Sequence, residues 1–429
     1  MVHRDSKISR PVGLWGAVSI GVGGMVGGGI FAVLGLSVQI TKGAAPLAFL
    51  LAGLVAMLTA RSYALLSQSY PSRGGTVTFV NRAFGTGLFP GSINVLLWLS
   101  YIVMLALYSQ AFGGYAASFF PDTSQGIAKH LFITTIIILV TFLNIAGAST
   151  IARAELIVVI IKVSILLLFV VVGFFGVSSA RLAPSQWSSP VSILAGGMII
   201  FLAYEGFELI ANAAEDVIDP GHTLTRAYFI SVLFVIALYI SVSVVAVGSL
   251  PIANLVKARD YALAEAARPT FGTFGFTMIA IAAMLSTASA INATLYGSAR
   301  MIYVIAKTGE LPTQLERSIW NQPLEGLLIT AGATVVLANV LNLNNISTMG
   351  SAGFLIIFAT VNAAEARTSR KRGSQPWISL VASLACVGAL TALVAKSSST
   401  SDLVLVAMVL LAVGIELTFR GSTKASIWR

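Results

Sequence analysis

Charged side chains are scarce in this chain. They make up 10% of its 429 residues, whereas a soluble domain carries roughly a quarter. This composition excludes a soluble enzyme or a soluble binding domain. The formal net charge of +10 could suggest a nucleic-acid partner, but the basic residues are grouped at the ends of apolar segments, so we expect none.

Cysteine and histidine are also rare. The single cysteine, Cys386, lies in an apolar run, so no intramolecular disulfide is expected. The three histidines (His3, His130 and His222) are far apart, and no phosphate-binding loop or Ser–His–Asp arrangement is visible. We therefore expect no metal, no cofactor, no use of bound ATP and no enzymatic activity.

Apolar residues, by contrast, account for 57% of the chain. They recur in stretches of about 20 residues, each long enough to cross a hydrocarbon layer of roughly 30 Å. The sequence predicts an all-α polytopic membrane protein without a soluble domain. The twelve predicted transmembrane helices cover residues 13–40, 45–69, 88–119, 131–148, 152–177, 191–213, 225–249, 271–305, 326–342, 347–364, 376–396 and 402–420.

Basic residues cluster before the first span, after the tenth and after the twelfth. With twelve spans these clusters share one side of the membrane, and such an excess marks the cytoplasmic side. We expect a multi-pass protein of the cell (cytoplasmic) membrane, with cytoplasmic N- and C-termini and the lipid bilayer as a partner. The clusters contain Arg4, Lys7, Arg10, Arg367, Arg370, Lys371, Arg372, Arg420, Lys424 and Arg429.

Two predicted spans are interrupted. The first contains GGMVGGG at residues 23–29, and the sixth contains AYEGFE at 203–208. Lipid cannot satisfy the backbone groups that a broken helix frees, so a matched pair of breaks marks the polar site of a secondary transporter. If spans 1–5 and 6–10 are inverted copies, the two breaks face each other. The predicted units are residues 1–185, 186–370 and 371–429, the last holding spans 11 and 12.

Each break has its own chemistry. The five glycines of the first expose backbone N–H groups where the helix restarts near Ile30, which favours a bound carboxylate. Their GxxxG spacing also suits close helix packing. The second break offers carbonyls and two acids, Glu205 and Glu208, which would attract an ammonium group. Alternatively, these acids are structural or pair with Arg61 of span two.

Further polar residues lie within the spans. Lys162 is the only charge in the middle of span five, where insertion costs roughly 2.5–3.5 kcal/mol. It is a candidate fixed ammonium or proton carrier, unless it forms a constitutive ion pair. Ser286 and Ser289 of span eight could coordinate a cation or bond neighbouring helices. Tyr101 and Tyr108 of span three share one face and could gate a cavity or simply pack.

Together these features resemble the amino acid–polyamine–organocation (APC) transporters over nearly the whole chain. The family implies a 5+5 inverted repeat with discontinuous helices 1 and 6, followed by two further helices. The chain looks most like the prokaryotic, sodium-independent, proton-coupled members, in which a lysine takes the place of a sodium ion, and Lys162 falls on that position. The matching segments are 24–31 (GMVGGGIF), 70–75 (YPSRGG), 203–208 (AYEGFE), 214–216 with 219–220 (AED and DP) and 308–312 (TGELP).

The resemblance also implies a site. The substrate carboxylate would meet the amides of residues 27–29, and Phe201, Leu202 or Tyr204 would close over the substrate. Its amino group would meet carbonyls near Met25, Phe201, Leu202 and Glu205. One of the two serines of span eight would face Lys162. The substrate-binding candidates are Gly24, Met25, Gly27, Gly28, Gly29, Ile30, Tyr101, Phe201, Leu202, Tyr204, Glu205 and Gly206, and the proton-coupling candidates are Lys162, Ser286, Ser289 and Glu208.

Two residues depart from the family pattern. Glu205 stands where the family is commonly apolar, and an acid there could select a cationic substrate. Arg61 stands where an uncharged residue is usual, and it could neutralise Glu205 or Glu208.

The sequence therefore predicts a secondary active transporter that imports amino acids with protons by alternating access, without sodium, as a monomer or weak homodimer. The alternative, suggested by Glu205 and Glu208, is an exchanger of polyamines or basic amino acids. Sodium symport is disfavoured because Lys162 would place a positive charge in the cation site. A nutrient sensor or a channel is disfavoured because no soluble signalling domain and no repeated filter sequence are visible.

Overall fold

The computed structural model describes residues 12–146, 151–307, 324–373 and 375–427, and within them the chain is built from helices. The basic residues at positions 4–10, the 308–312 segment and Arg429 lie outside the described residues. The first part contains α1 (Leu14–Met25), α2 (Gly29–Thr41), α3 (Ala45–Ser69), α4 (Gly75–Phe84), α5 (Leu88–Ala117), α6 (Gln125–Ala146), α7 (Ile151–Gly173) and the short α8 (Ser179–Leu182).

The second part begins with α9 (Pro190–Ile199), which is followed by a 3₁₀ segment (Phe201–Asp216). The remaining helices are α10 (Pro220–Ser249), α11 (Ile252–Lys257), α12 (Ala262–Lys307), α13 (Leu324–Val340), α14 (Leu343–Lys371), α15 (Trp377–Val394) and α16 (Ser399–Ile427).

The membrane-spanning character follows from helix length and apolarity. Nine helices in the described ranges are long and apolar enough to cross a bilayer, and two bent helix pairs bring the total to eleven. The apolar α13 has 17 residues and would be the twelfth. The prediction of an all-α polytopic membrane protein is confirmed, and the count of twelve stays a prediction.

The two bent pairs are the discontinuous helices expected from the sequence. α1 and α2 meet at 44°, and α9 meets the 3₁₀ segment at 40°. The second break lies earlier than predicted, at Ile200, because residues 203–208 tighten into 3₁₀ geometry instead of unwinding.

The breaks contact each other through their backbones. A Cβ atom added to Gly24 would lie 2.7 Å from the Gly206 carbonyl oxygen, and one added to Gly206 would lie 2.4 Å from the Met25 nitrogen. Only glycine permits this approach, so the glycines at both positions are explained by packing of one broken span on the other. The inverted repeat that this arrangement suggests, with its three predicted units, remains a prediction.

The helices differ in how far the protein buries them. In the most apolar windows of α5 and α14, 83% of the residues are buried, compared with 22% in α16. α5 and α14 therefore flank the broken spans at the centre, while α16 turns most of its apolar side chains outward, as a lipid-facing helix does.

Short elements connect α10 to α12. The helix α11 ends at Lys257, and a 3₁₀ turn (Arg259–Tyr261) precedes α12. This turn packs against α2 so closely that a Cβ at Gly35 would collide with the Arg259 backbone. The Asp260 carboxylate also accepts a hydrogen bond from Lys129 Nζ at 2.6 Å. This end of the bundle is thereby closed.

Candidate transport site

Lys162 binds the first break. Its side chain is 2% exposed, and its Nζ donates to the Gly23 carbonyl oxygen at 3.0 Å. Two later carbonyls of the break are bonded by span eight, because Ser286 Oγ donates to the Val26 oxygen at 2.9 Å and also bonds to the Gly27 oxygen. The cationic side chain and the hydroxyl thus occupy the end of α1, where helix carbonyls lack partners and carry partial negative charge.

The two serines of span eight are not equivalent. Ser286 is fully buried against the break, whereas Ser289 is half-buried and is not among the hydrogen-bond partners of residues 23–27. Ser286 and Lys162 therefore bond to carbonyls of the same break, while a role of either serine in proton coupling stays a prediction.

Span three contacts the chain just before the start of α2. The Tyr108 ring covers Gly28, since a Cβ at that glycine would lie 2.1 Å from the ring. The two tyrosines of this span therefore act at different places. Tyr108 lies on the first break, and Tyr101 bonds to an acid of the second.

Tyr239 of α10 joins the two breaks, and sequence reasoning missed it. Its hydroxyl donates to the Met25 carbonyl oxygen at 2.6 Å and lies 3.3 Å from the Ala203 carbonyl oxygen. The backbone of Ile30, at the start of α2, lies close to the same hydroxyl. A tyrosine in an apolar span is usually a packing residue, and only its position opposite both breaks reveals this role.

Serines of α14 hold the second break, and these were also missed. The Ile199 carbonyl oxygen accepts from Ser347 Oγ at 2.7 Å and from Ser351 Oγ at 2.8 Å. The Leu202 N–H donates to Ser351 Oγ at 3.1 Å. Ser351 therefore satisfies one acceptor and one donor that the break would leave unpaired. The available signal was the cluster of small residues formed by Ser347, Thr348, Gly350 and Ser351.

The side chains expected to close over a substrate contact other helices. Phe201 packs on Phe358 with ring centroids 5.8 Å apart. Leu202 packs against Gly350 of α14. The Tyr204 hydroxyl donates to the Phe49 carbonyl oxygen of α3 at 3.0 Å.

The two acids of the second break have different surroundings. Glu208 is buried and accepts hydrogen bonds from Tyr63 at 3.0 Å, from Thr76 at 3.1 Å and from Tyr101. Glu205 is also buried, and it lies beside Tyr108. Its Oε2 has no hydrogen-bond partner among the described residues.

Arg61 does not neutralise either acid, so that alternative is wrong. Its guanidinium bonds to Ser379 Oγ at 3.5 Å and lies near Glu365, which belongs to α14. The reason is the orientation of α3, which turns Tyr63 toward the second break and Arg61 toward α15.

A cavity of about 740 Å³ leads toward Glu208. Its lining includes Thr76 and Tyr101, whose hydroxyls bond to that acid, and the exposed Arg73 and Arg300. The broken spans are thus approached from one end of the bundle, while the Arg259–Tyr261 turn closes the other.

Several known proteins are similar in sequence to this chain over most of its length. The inner membrane transport protein YbaT of Escherichia coli is 36% identical over 356 residues, which are 82% of each chain. An uncharacterized protein of Methanocaldococcus jannaschii is 38% identical over 357 residues, 82% of this chain and 81% of that protein. The branched-chain amino acid permease BcaP of Bacillus subtilis is 24% identical over 395 residues, 87% of this chain and 83% of that protein.

A family model, described as amino acid permease, matches residues 12–414. This range includes both broken spans and every candidate site residue. The resemblance inferred from the sequence is therefore confirmed, and the chain belongs to the amino acid permease family of the APC superfamily.

Proposed function

We propose that this chain imports an amino acid together with protons, without sodium and without a cofactor, by alternating access across the cell membrane, with both termini in the cytoplasm. The observation that carries the proposal is the hydrogen bond from Lys162 Nζ to the Gly23 carbonyl oxygen. Nearby, Ser286 Oγ bonds to the Val26 and Gly27 carbonyl oxygens. In transporters with broken helices, unwound carbonyls coordinate the coupling cation. Here a fixed ammonium already bonds to them.

The two ends of an amino acid fit the two breaks. The substrate carboxylate would bind the N–H groups at the start of α2, where the positive end of the helix dipole attracts an anion. The substrate ammonium would bind the Met25 and Ala203 carbonyls, which now contact the Tyr239 hydroxyl. Tyr108 and Tyr239 would give up these positions when the substrate enters.

Proton coupling needs a group that exchanges a proton with the accessible side. Glu208 suits this role because the cavity reaches Tyr101 and Thr76, whose hydroxyls bond to it. Hydroxyls both donate and accept, so they accommodate the carboxyl group with or without its proton. Lys162 suits the role in another way, since losing its proton would weaken the contact between α7 and α1.

Uptake into proteoliposomes tests this proposal. Radiolabelled amino acids are offered with an inward proton gradient and no sodium. We expect uptake that collapses when an ionophore dissipates the gradient. Uptake that requires sodium would contradict the proposal, and so would uptake that ignores the gradient.

A second candidate, an exchanger of polyamines or basic amino acids, is favoured by the Glu205 oxygen without a hydrogen-bond partner. An unsatisfied buried acceptor costs about 1–3 kcal/mol, and a cationic substrate group would satisfy it. The same vesicles, preloaded with arginine or putrescine, distinguish the candidates. Uptake that occurs only by exchange, and that these cations inhibit, would favour the second.

A further inference from the structure

A second cavity lies away from the transport site, between one end each of α3, α14 and α15. Its volume is about 310 Å³, and its lining shares no residue with the cavity that leads to Glu208. Arg61 and Arg372 lie in the wall, together with Gln68, Glu365 and Trp377. The proposed transport mechanism uses none of these side chains.

The charges in this cavity do not cancel. The Arg372 guanidinium bonds to the buried Glu365 carboxylate at 2.8 Å, so these two charges neutralise each other. Arg61 has five N–H donors, yet its one hydrogen bond within the described structure reaches Ser379 at 3.5 Å. It forms no ion pair with the described residues. One positive charge therefore remains for an anion.

The position of the cavity fits the boundary between lipid and water. Arg61 lies about two turns before the end of α3, and Arg372 directly follows α14. Trp377, at the start of α15, is 57% exposed. Tryptophan is enriched at the level of the lipid headgroups, and Arg367, Arg370 and Lys371 provide further positive charge at this end of α14.

We propose that this cavity binds a phosphate group, with the Arg61 guanidinium as its main donor. Arginine matches phosphate oxygens in a two-pronged hydrogen-bonded geometry that lysine cannot reproduce. Basic pockets between membrane helices on the cytoplasmic side bind anionic lipid headgroups. The phosphate is therefore supplied by an anionic phospholipid of the cytoplasmic leaflet or by inorganic phosphate.

Native mass spectrometry of the full-length protein tests the proposal. The protein is reconstituted with phosphatidylglycerol or with zwitterionic phosphatidylcholine, and the lipid retained after mild activation is counted. We expect wild type to retain phosphatidylglycerol at least about tenfold more often than phosphatidylcholine. Arg61→Gln should lose this preference. Lys371→Gln removes the same charge from an exposed position outside the cavity and should retain it.

Two further measurements complete the test. In lipid-depleted detergent, protection of the wild type against thermal unfolding by millimolar inorganic phosphate, but not by phosphatidylglycerol, would assign the site to free phosphate. Equal retention of phosphatidylglycerol by Arg61→Gln and wild type, with no protection by phosphate, overturns the proposal. Should Arg61→Gln fail to fold, Arg61→Lys keeps the charge and should still weaken retention severalfold. Unchanged retention in that variant overturns the proposal as well.

Discussion

The two helix breaks solve one physical problem with different chemistry. Each leaves carbonyl groups without helical partners in a region that lipid cannot satisfy. At the first break the partners are an ammonium, Lys162, and the hydroxyl of Ser286. At the second break the partners are two neutral hydroxyls, Ser347 and Ser351.

This difference gives the two breaks different expected responses to protons. A hydroxyl keeps its charge state across physiological pH, so the contacts around Ile199 persist when protons move. An amine can lose its proton, and the contact between Lys162 and Gly23 then loses its charge. The comparison suggests that the first break responds to protons at its carbonyls, while the second responds only through its acids.

The largest expected effect comes from Lys162→Ala, which removes the charged partner of the first break. We expect gradient-driven uptake to fall to the background level, because a hydrogen bond from a charged group is worth about 1.5–3 kcal/mol and one of the two proposed coupling groups is lost. Initial uptake rates in proteoliposomes measure this. Full gradient-driven uptake by a folded Lys162→Ala protein would refute the role of the lysine.

A second prediction concerns the contact between the breaks. Gly206→Ala should lower stability by about 1–3 kcal/mol or prevent folding, because the new Cβ would lie 2.3 Å from the Gly24 carbonyl carbon. The thermal unfolding midpoint in detergent measures this. Gly332→Ala is the matched control, since a Cβ there meets nothing within 4 Å. Equal midpoints for the two variants would show that the breaks do not need this close approach.

A third prediction contrasts the serines of the two breaks. Ser351→Ala should cost about 1–2 kcal/mol of stability, because it leaves Leu202 N–H without its acceptor, while the pH dependence of uptake keeps its shape. Ser286→Ala should change that pH dependence, because it alters the carbonyl cluster that Lys162 shares. Uptake measured from pH 5 to pH 8 gives both profiles. A shifted pH profile for Ser351→Ala alone would show that the partners of the second break, and not those of the first, respond to protons.

The smallest effect is expected at the acid without a full set of partners. Glu205→Gln should leave uptake of neutral amino acids within about twofold, because the amide keeps the size of the side chain and its place beside Tyr108. Inhibition by arginine or putrescine should weaken by about tenfold or more if a cation binds Glu205. Competition assays measure both effects. Unchanged inhibition by these cations would remove the observation that favours the exchanger.

The sequence predicts the parts of this molecule that contain groups with a high free-energy cost in lipid. A charge in an apolar span, a glycine cluster in a helix and two acids beside a glycine are expensive in lipid, so they stand out without a structure. Lys162, the two breaks and the choice of spans one and six were identified in this way. The family was also identified, because the order of its short motifs is specific.

The sequence does not predict the contacts that depend on how each helix is rotated about its axis. Tyr239 and Ser351 are ordinary residues in apolar or small-residue helices, and only helix orientation brings them to the broken backbone. Arg61 was wrongly connected with the acids of the second break for the same reason, because neighbouring positions on α3 face different helices. The second break lies at Ile200 and not at the predicted residues 203–208, because packing decides whether the chain unwinds or adopts 3₁₀ geometry.

The Tyr239 hydroxyl has a further consequence for a membrane that must hold its ion gradients. Vacant carbonyls between the breaks would attract hydrated cations, and each cation that crossed without substrate would dissipate the gradient. With the Tyr239 hydroxyl on the Met25 carbonyl, the protein itself supplies a neutral ligand there. A substrate ammonium can replace that ligand at a small net cost, because one hydrogen bond is exchanged for another. We therefore expect the tyrosine to reduce the passage of cations through the protein without substrate.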